Sequence, residues 1–371
     1  MATSTLLELT AHGQSIWLDY IQRALLTDGG FRRLVDVDGV SGVTSNPAIL
    51  EKAIVEHREY DAAIRALSGL EPRALYEQIA IEDLQMAADL LRPVHEASRG
   101  RDGYVSFEVS PHLAYDTQAT VHEARRLWDA LDRPNSLIKV PATAPGIAAI
   151  RQLIAEGINV NVTLLFSLQR YREVAQAYIA GLEARAAQGS PLPSIASVAS
   201  FFLSRIDTLV DRRLDTLTAD VSREKAAALR GRTAIASARL AYQDYRELFS
   251  GERWQRLAAA GAGTQRLLWA STSTKDPAYS DIKYVDALIG AETINTLPME
   301  TLAAYRDHGH PAARLEAGIE AAHETLAGLA QLGIDLQALA DQLEREGVAK
   351  FVDAFDRLLD KLARRIPVPV A

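Results

Sequence analysis

The sequence predicts a single parallel (β/α)8 TIM barrel with additional C-terminal helices. Three observations lead there. Eight short apolar runs recur along the 371-residue chain, amphipathic helical patterns separate most of them, and no run is followed by the G-x-G-x-x-G turn of a dinucleotide-binding sheet. A doubly wound open sheet is the structural alternative for the same alternation.

The first candidate strand is SIWLDYI (15–21). Strand side chains alternate between faces, and a barrel strand turns its apolar face toward the surrounding helices. That rule sends Ile16 and Leu18 outward and Asp19 inward. VSGVTS (40–45) is the second run. In YVSFEV (104–109), Val105, Phe107 and Val109 point out, while Ser106 and Glu108 point in. TVHEARRLWDAL (120–131) has the periodicity of an amphipathic helix. SLIKVPA (136–142) follows, with Ile138 and Val140 outward and Lys139 inward. The helix pattern GIAAIRQLIAEG (146–157) leads to INVNVTLL (158–165), where Ile158, Val160 and Val162 form the apolar face. Asn159, Asn161 and Thr163 form the inner face of that strand. LQRYREVAQAYIAGLEARAA (168–187) reads as a helix and QGSPLP (188–193) as a short linker. IASVASFF (195–202), RLLWAST (266–272) and DALIGAE (286–292) complete the eight strands. The pattern from Pro298 onward is helical, and EREGVAKFVDAFDRLLDKLARR (344–365) is strongly amphipathic, fit to pack outside the barrel or close over its mouth. The expectation is one domain over 1–371, with 299–371 a helical extension packed on the barrel.

Four strands thus aim Asp19, Glu108, Lys139, and Asn161 with Thr163 at one interior. Buried polar groups are costly unless mutually paired, so the cluster is either a satisfied ion-pair network or a site. Sites on this fold lie at the C-terminal ends of the strands, where these residues fall. Lys139 is the informative member. Only seven of the 40 basic residues are lysine, yet one stands among Leu137, Ile138, Val140 and Pro141. Desolvation lowers the pKa of a buried lysine, by up to ~3–5 units in the extreme. A neutral amine forms a Schiff base with a carbonyl, and a guanidinium does not. The resulting iminium is an electron sink that lets the C–C bond beta to nitrogen break. The reaction needs a carboxylate to take and return the proton of the leaving hydroxyl. It also needs an acid/base for carbinolamine dehydration, often acting through a water. Asp19 and Glu108 are the candidates for these two roles, Asn161 for holding a substrate hydroxyl and Thr163 for holding the water.

Composition narrows the partners. The chain is 48% apolar and 24% charged, ordinary for a soluble protein. Net charge is 40 − 48 = −8, which argues against nucleic acid and anionic membranes and requires local cations for any anionic substrate. The absence of cysteine excludes disulfides and thiolate chemistry. The N-terminal MATSTLLELTAHGQSIW has no signal-peptide pattern, and no apolar stretch approaches the ~18 residues of a transmembrane candidate. A cytoplasmic protein is expected. The eight histidines show no metal-ligand spacing.

The segments GVTSNPAIL (42–50), VSFEVSPHLAYDT (105–117), SLIKVPAT (136–143), INVNVTLLFS (158–167), ASVASFFLSRID (196–207), LLWASTSTKDP (267–277) and DALIGAETINTLP (286–298) occur in one order. With them the chain resembles the transaldolases, Schiff-base enzymes of the pentose phosphate pathway. EGVAKFVDAFDRLL (346–359) resembles that family's closing helix. The resemblance implies transfer of a dihydroxyacetone unit between sugar phosphates, with no metal or organic cofactor. It implies Lys139 as the Schiff-base lysine, Asp19 as the acid/base of C–C cleavage, and Glu108 with Thr163 as holders of the catalytic water. Asn46 and Asn161 match residues that hold donor hydroxyls, and Ser200 and Arg205 match phosphate and substrate contacts. Ser271 matches a small polar residue at the end of strand seven. Many members carry an arginine two residues further on, where this chain has Ser273; Lys275 in STSTKDP is then the expected substitute, as in a second branch of the family. Some relatives in that branch carry an appended isomerase, which is not expected here. The alternatives are a simple aldolase that releases dihydroxyacetone and a non-catalytic sugar-phosphate-binding barrel. A monomer or homodimer is expected.

Overall fold

The computed structural model describes residues 4–217 and 220–365. Eight parallel strands close into a barrel in sequence order. They are β1 (Gln14–Leu18), β2 (Val40–Val43), β3 (Tyr104–Glu108), β4 (Ser136–Pro141), β5 (Val160–Leu165), β6 (Ser197–Phe202), β7 (Arg266–Ala270) and β8 (Thr293–Leu297). The barrel is the expected one, and the open sheet is excluded. Several of the helices between strands start at side-chain caps. Asp116 accepts from the Ala119 amide at 3.0 Å to open Thr117–Leu131, and Thr143 from Gly146 at 3.1 Å to open Ala144–Glu156. Ser167 accepts from Arg170 at 3.1 Å to open Leu168–Ala187. Each cap satisfies an amide left free by the first turn.

One strand differs from the sequence reading. DALIGAE (286–292) is not a strand; its first residues end the helix Lys283–Ala287, and Leu288 and Ile289 are buried from the connection that follows. The eighth strand is β8, TINTL. Its alternation is masked. Asn295 pairs in register with Ile16 and Trp269 on the helix-facing side, where an apolar residue is expected, and Thr293 accepts from Gln14 Nε2 at 2.9 Å. The run of small polar residues reads as a loop, and the neighbouring Leu288–Ile289 pair supplies the apolar signal instead.

The barrel floor is built from polar groups that meet across the interior. Asp102 accepts from Ser15 Oγ at 2.5 Å and Trp17 Nε1 at 2.8 Å, and Arg266 pairs with the same carboxylate at 3.2 Å. Trp17 fits only because residue 42 is glycine: a Cβ there would fall 2.4 Å from the indole. Above this floor, register aligns Glu108, Lys139 and Asn161 across β3, β4 and β5. At the upper end of β5 the pairing with β6 slips, and Leu164 takes a left-handed φ of 55°. Irregularities of this kind re-aim strand ends beside sites.

The helix Leu336–Arg365 reaches the C-terminal ends of the strands. Arg357 and Lys361 bind Glu51 on the helix after β2, at 3.3 and 2.9 Å. Asp356 meets His112 at 2.7 Å, Phe355 packs edge-on against Tyr76, and Arg365 pairs with Asp61. Among the described residues no helix is long and apolar enough to cross a membrane.

Candidate active site

A cavity of about 850 Å³ opens at the C-terminal ends of the strands. Seven residues singled out from the sequence line it: Asp19, Asn46, Lys139, Ser200, Arg205, Ser271 and Lys275. The other three, Glu108, Asn161 and Thr163, are buried on the barrel wall around Lys139.

Lys139 is 4% exposed. Its Nζ donates to the Ser45 carbonyl at 2.8 Å and lies 4.0 Å from Glu108 Oε2. Burial pushes the Glu108 carboxyl up from its ordinary 4.5 to about 7, against the pull of Lys139. Asp19 lies one residue beyond β1, its amide donating to the Leu297 carbonyl at 2.8 Å. Burial raises its pKa too, while Lys139 and a 2.7 Å hydrogen bond from Thr44 oppose the rise. Since Thr44 donates to Asp19, Thr296 on β8 must be the donor in its own 2.7 Å contact with Thr44. The carboxylate is therefore oriented by a relay of two threonines. The lysine thus faces two carboxyl groups that burial holds nearer neutrality than in water.

Asn161 is held on both sides, donating to Ser106 Oγ at 3.0 Å and accepting from Ser200 at 2.7 Å. Asn46 caps the helix Pro47–Glu56 by accepting from the Ile49 amide at 3.0 Å, and its amide nitrogen remains a donor at the cavity wall. Ser271 sits at a left-handed φ of 55° and shares a 2.8 Å hydrogen bond with Ser204. A non-glycine residue held there is strained, as functional strand ends often are. Lys275 is exposed and donates to Ser273 Oγ at 2.7 Å. The Arg205 guanidinium contacts the rings of Phe202 and Phe351, 5.3 and 5.9 Å from their centres.

Three of these residues carry buried atoms without a hydrogen-bond partner among the described residues: Glu108 Oε2, Thr163 Oγ1 and Arg205 Nη1. Buried polar atoms are nearly always paired in folded proteins; of these three residues Arg205 lines the cavity, where its donor can meet a ligand. Sequence reading missed Thr44, Thr296 and Phe351. Thr44 stood in view within GVTSNPAIL. Thr296 was hidden by the misplaced strand, and nothing in the helical pattern distinguished Phe351 from its apolar neighbours.

A family model described as Transaldolase/Fructose-6-phosphate aldolase matches residues 16–362. The chain belongs to this family. It is 49% identical to Transaldolase 2 of Nostoc sp., over 99% of this chain and 98% of the relative. It is 49% identical to a transaldolase of Thiobacillus denitrificans, over 94% and 97% of the two chains. With a transaldolase of Thermobifida fusca it shares 48% identity over 98% of each chain. Family membership therefore covers the whole barrel and nearly all of the C-terminal helix.

The raised pKa of Glu108 predicts a pH dependence of stability. Between its ordinary 4.5 and about 7, the folded protein keeps a proton that the unfolded chain has released. Stability attributable to this group is full below that window, falls as pH rises through it, and is flat above it. Glu108→Gln cannot titrate. Its stability relative to the parent protein is expected to rise across the window, measured by urea denaturation at a series of pH values. Parallel pH curves for the two proteins would contradict the shift.

Proposed function

We propose that this protein is a transaldolase that transfers a dihydroxyacetone unit from fructose 6-phosphate or sedoheptulose 7-phosphate to erythrose 4-phosphate or glyceraldehyde 3-phosphate. The observation that carries the reading is the buried Lys139 amine 4.0 Å from Glu108 and in electrostatic contact with Asp19, beside which it lines the cavity. Family membership supports it.

In this mechanism the Lys139 amine adds to the ketose carbonyl. Glu108, acting through a water held by Thr163, moves the protons that turn the carbinolamine into iminium and water. A carboxyl group that titrates near neutral pH suits both directions of that transfer. Asp19 takes the proton of the hydroxyl beyond the breaking bond. The C–C electrons move into the iminium, the aldose phosphate departs, and the enamine stays on Lys139. An acceptor aldehyde then adds to the enamine, Asp19 returns the proton, and water releases the product. Asn46 and Asn161 serve donor hydroxyls, Asn161 held in place by Ser106 and Ser200. Lysine supplies the electron sink, so the mechanism needs no metal or organic cofactor. The reading takes the chain as one functional unit completed by its C-terminal helices, working in the cytoplasm in the non-oxidative pentose phosphate pathway, as a monomer or homodimer.

The test is product analysis with fructose 6-phosphate and erythrose 4-phosphate. Sedoheptulose 7-phosphate and glyceraldehyde 3-phosphate should form in equal amounts, with free dihydroxyacetone a minor product. Dihydroxyacetone as the main product would make the protein an aldolase, and no turnover would make it a binding barrel.

A chain at −8 repels a dianionic sugar phosphate at long range, so local cations must hold it. Arg205 brings a planar fork to the cavity wall, and Lys275 a point charge near Ser271 and Ser273. Arg205→Ala or Lys275→Ala should lower kcat/KM for phosphorylated donors roughly 10- to 150-fold, the worth of one charged hydrogen bond. Unphosphorylated donors should be nearly unaffected. An equal loss on both donor types for Lys275→Ala would remove Lys275 from the phosphate site.

A further inference from the structure

The C-terminal helix borders the cavity with Lys350, Phe351, Asp353, Ala354 and Arg357. Phe351 is buried, lines the cavity and presents its ring to the Arg205 guanidinium, as Phe202 also does. Gly347 stands four residues earlier, on the same side of the helix. A Cβ on Gly347 would fall 2.8 Å from Leu164 Cδ2 and 3.7 Å from Arg205 Nη1. Glycine weakens the interior of a helix, and here it lets the helix come close to the end of β5. Arg205 itself has no protein hydrogen bond or salt bridge among the described residues, and its Nη1 is buried. Burial lowers its pKa, and the charges of Asp19 and Glu108 oppose that. Two aromatic faces are therefore the specific contacts that orient this guanidinium, leaving its N–H donors free for a ligand.

We propose that Phe351 is a positioning residue for phosphate recognition: through its ring the C-terminal helix, brought close by Gly347, fixes the plane of Arg205 over the cavity so that the fork meets a phosphate monoester. This rests on the reading of Arg205 as a phosphate ligand. Its consequence is that the helix helps to select phosphorylated sugars as well as covering the barrel mouth.

The experiment compares fructose 6-phosphate with fructose as donors, using erythrose as the common acceptor. The variants are Phe351→Leu, Phe351→Tyr, Arg205→Ala and the double variant Arg205→Ala/Phe351→Leu. Phe351→Leu keeps an apolar side chain and removes the aromatic face. It should raise KM for fructose 6-phosphate by about 5- to 10-fold, the scale of a partly desolvated cation–π contact, with kcat nearly unchanged. Fructose should be unaffected, and Phe351→Tyr should behave like the parent protein. The double variant should lose no more on fructose 6-phosphate than Arg205→Ala alone, because the ring acts only through the arginine. Equal losses of Phe351→Leu on both donors, or additive losses in the double variant, would overturn the proposal and leave Phe351 a packing residue. If Arg205→Ala itself showed equal losses on both donors, the phosphate reading of Arg205 would fall, and this proposal with it.

Discussion

Lys139→Arg is expected to abolish turnover while leaving the barrel folded. The substitution keeps the positive charge beside Glu108 and a donor for the Ser45 carbonyl, the two contacts that hold the lysine. It removes the ability to become a neutral nucleophile, because a guanidinium stays protonated and forms no iminium. All covalent steps should be lost together, so activity should drop to background rather than by a modest factor. Circular dichroism and a thermal melt would establish that the variant is folded. Appreciable transfer by a folded Lys139→Arg protein would place the nucleophile elsewhere.

Asp19→Asn should be the next most damaging change. The amide oxygen of asparagine can still accept the Thr44 hydrogen bond, so local geometry is retained. In the proposed mechanism what is lost is the group that takes and returns a proton, and such general acid–base catalysis typically contributes ~10²–10⁴-fold. Schiff-base formation should survive because Glu108 is intact. The variant should therefore accumulate a borohydride-trappable adduct that carries the whole donor. Rapid-quench trapping followed by mass spectrometry reads this directly. A three-carbon adduct formed at the parent rate would show that another group drives cleavage.

Much of this arrangement was legible in the sequence for a simple reason. Barrel strands separate an apolar outer face from an inner face with period two, so INVNVTLL and SLIKVPA announce their inward residues. A lysine on such an inner face is conspicuous because burying a charge is costly. The reading failed where the pattern is broken. β8 carries Asn295 on its outer face and Thr296 on its inner face, and so looks like a loop. With that strand went the relay through Thr296 and Thr44 that orients Asp19. The barrel floor could not be read because Ser15, Asp102 and Arg266 are far apart in sequence and meet only after closure. The contact of Phe351 with Arg205 joins a helix near the end of the chain to the first turn of the helix Ser204–Asp215 that follows β6, and no local periodicity reports such a contact.

Covalent catalysis through Lys139 is the central claim, and borohydride trapping tests it most directly. The unmodified protein would be incubated with fructose 6-phosphate, reduced, digested and mapped by peptide mass spectrometry. The expected result is loss of activity together with a stable three-carbon adduct on the peptide containing Lys139, and on no other lysine. A stable adduct on another lysine, or no adduct while transfer proceeds at full rate, would contradict it.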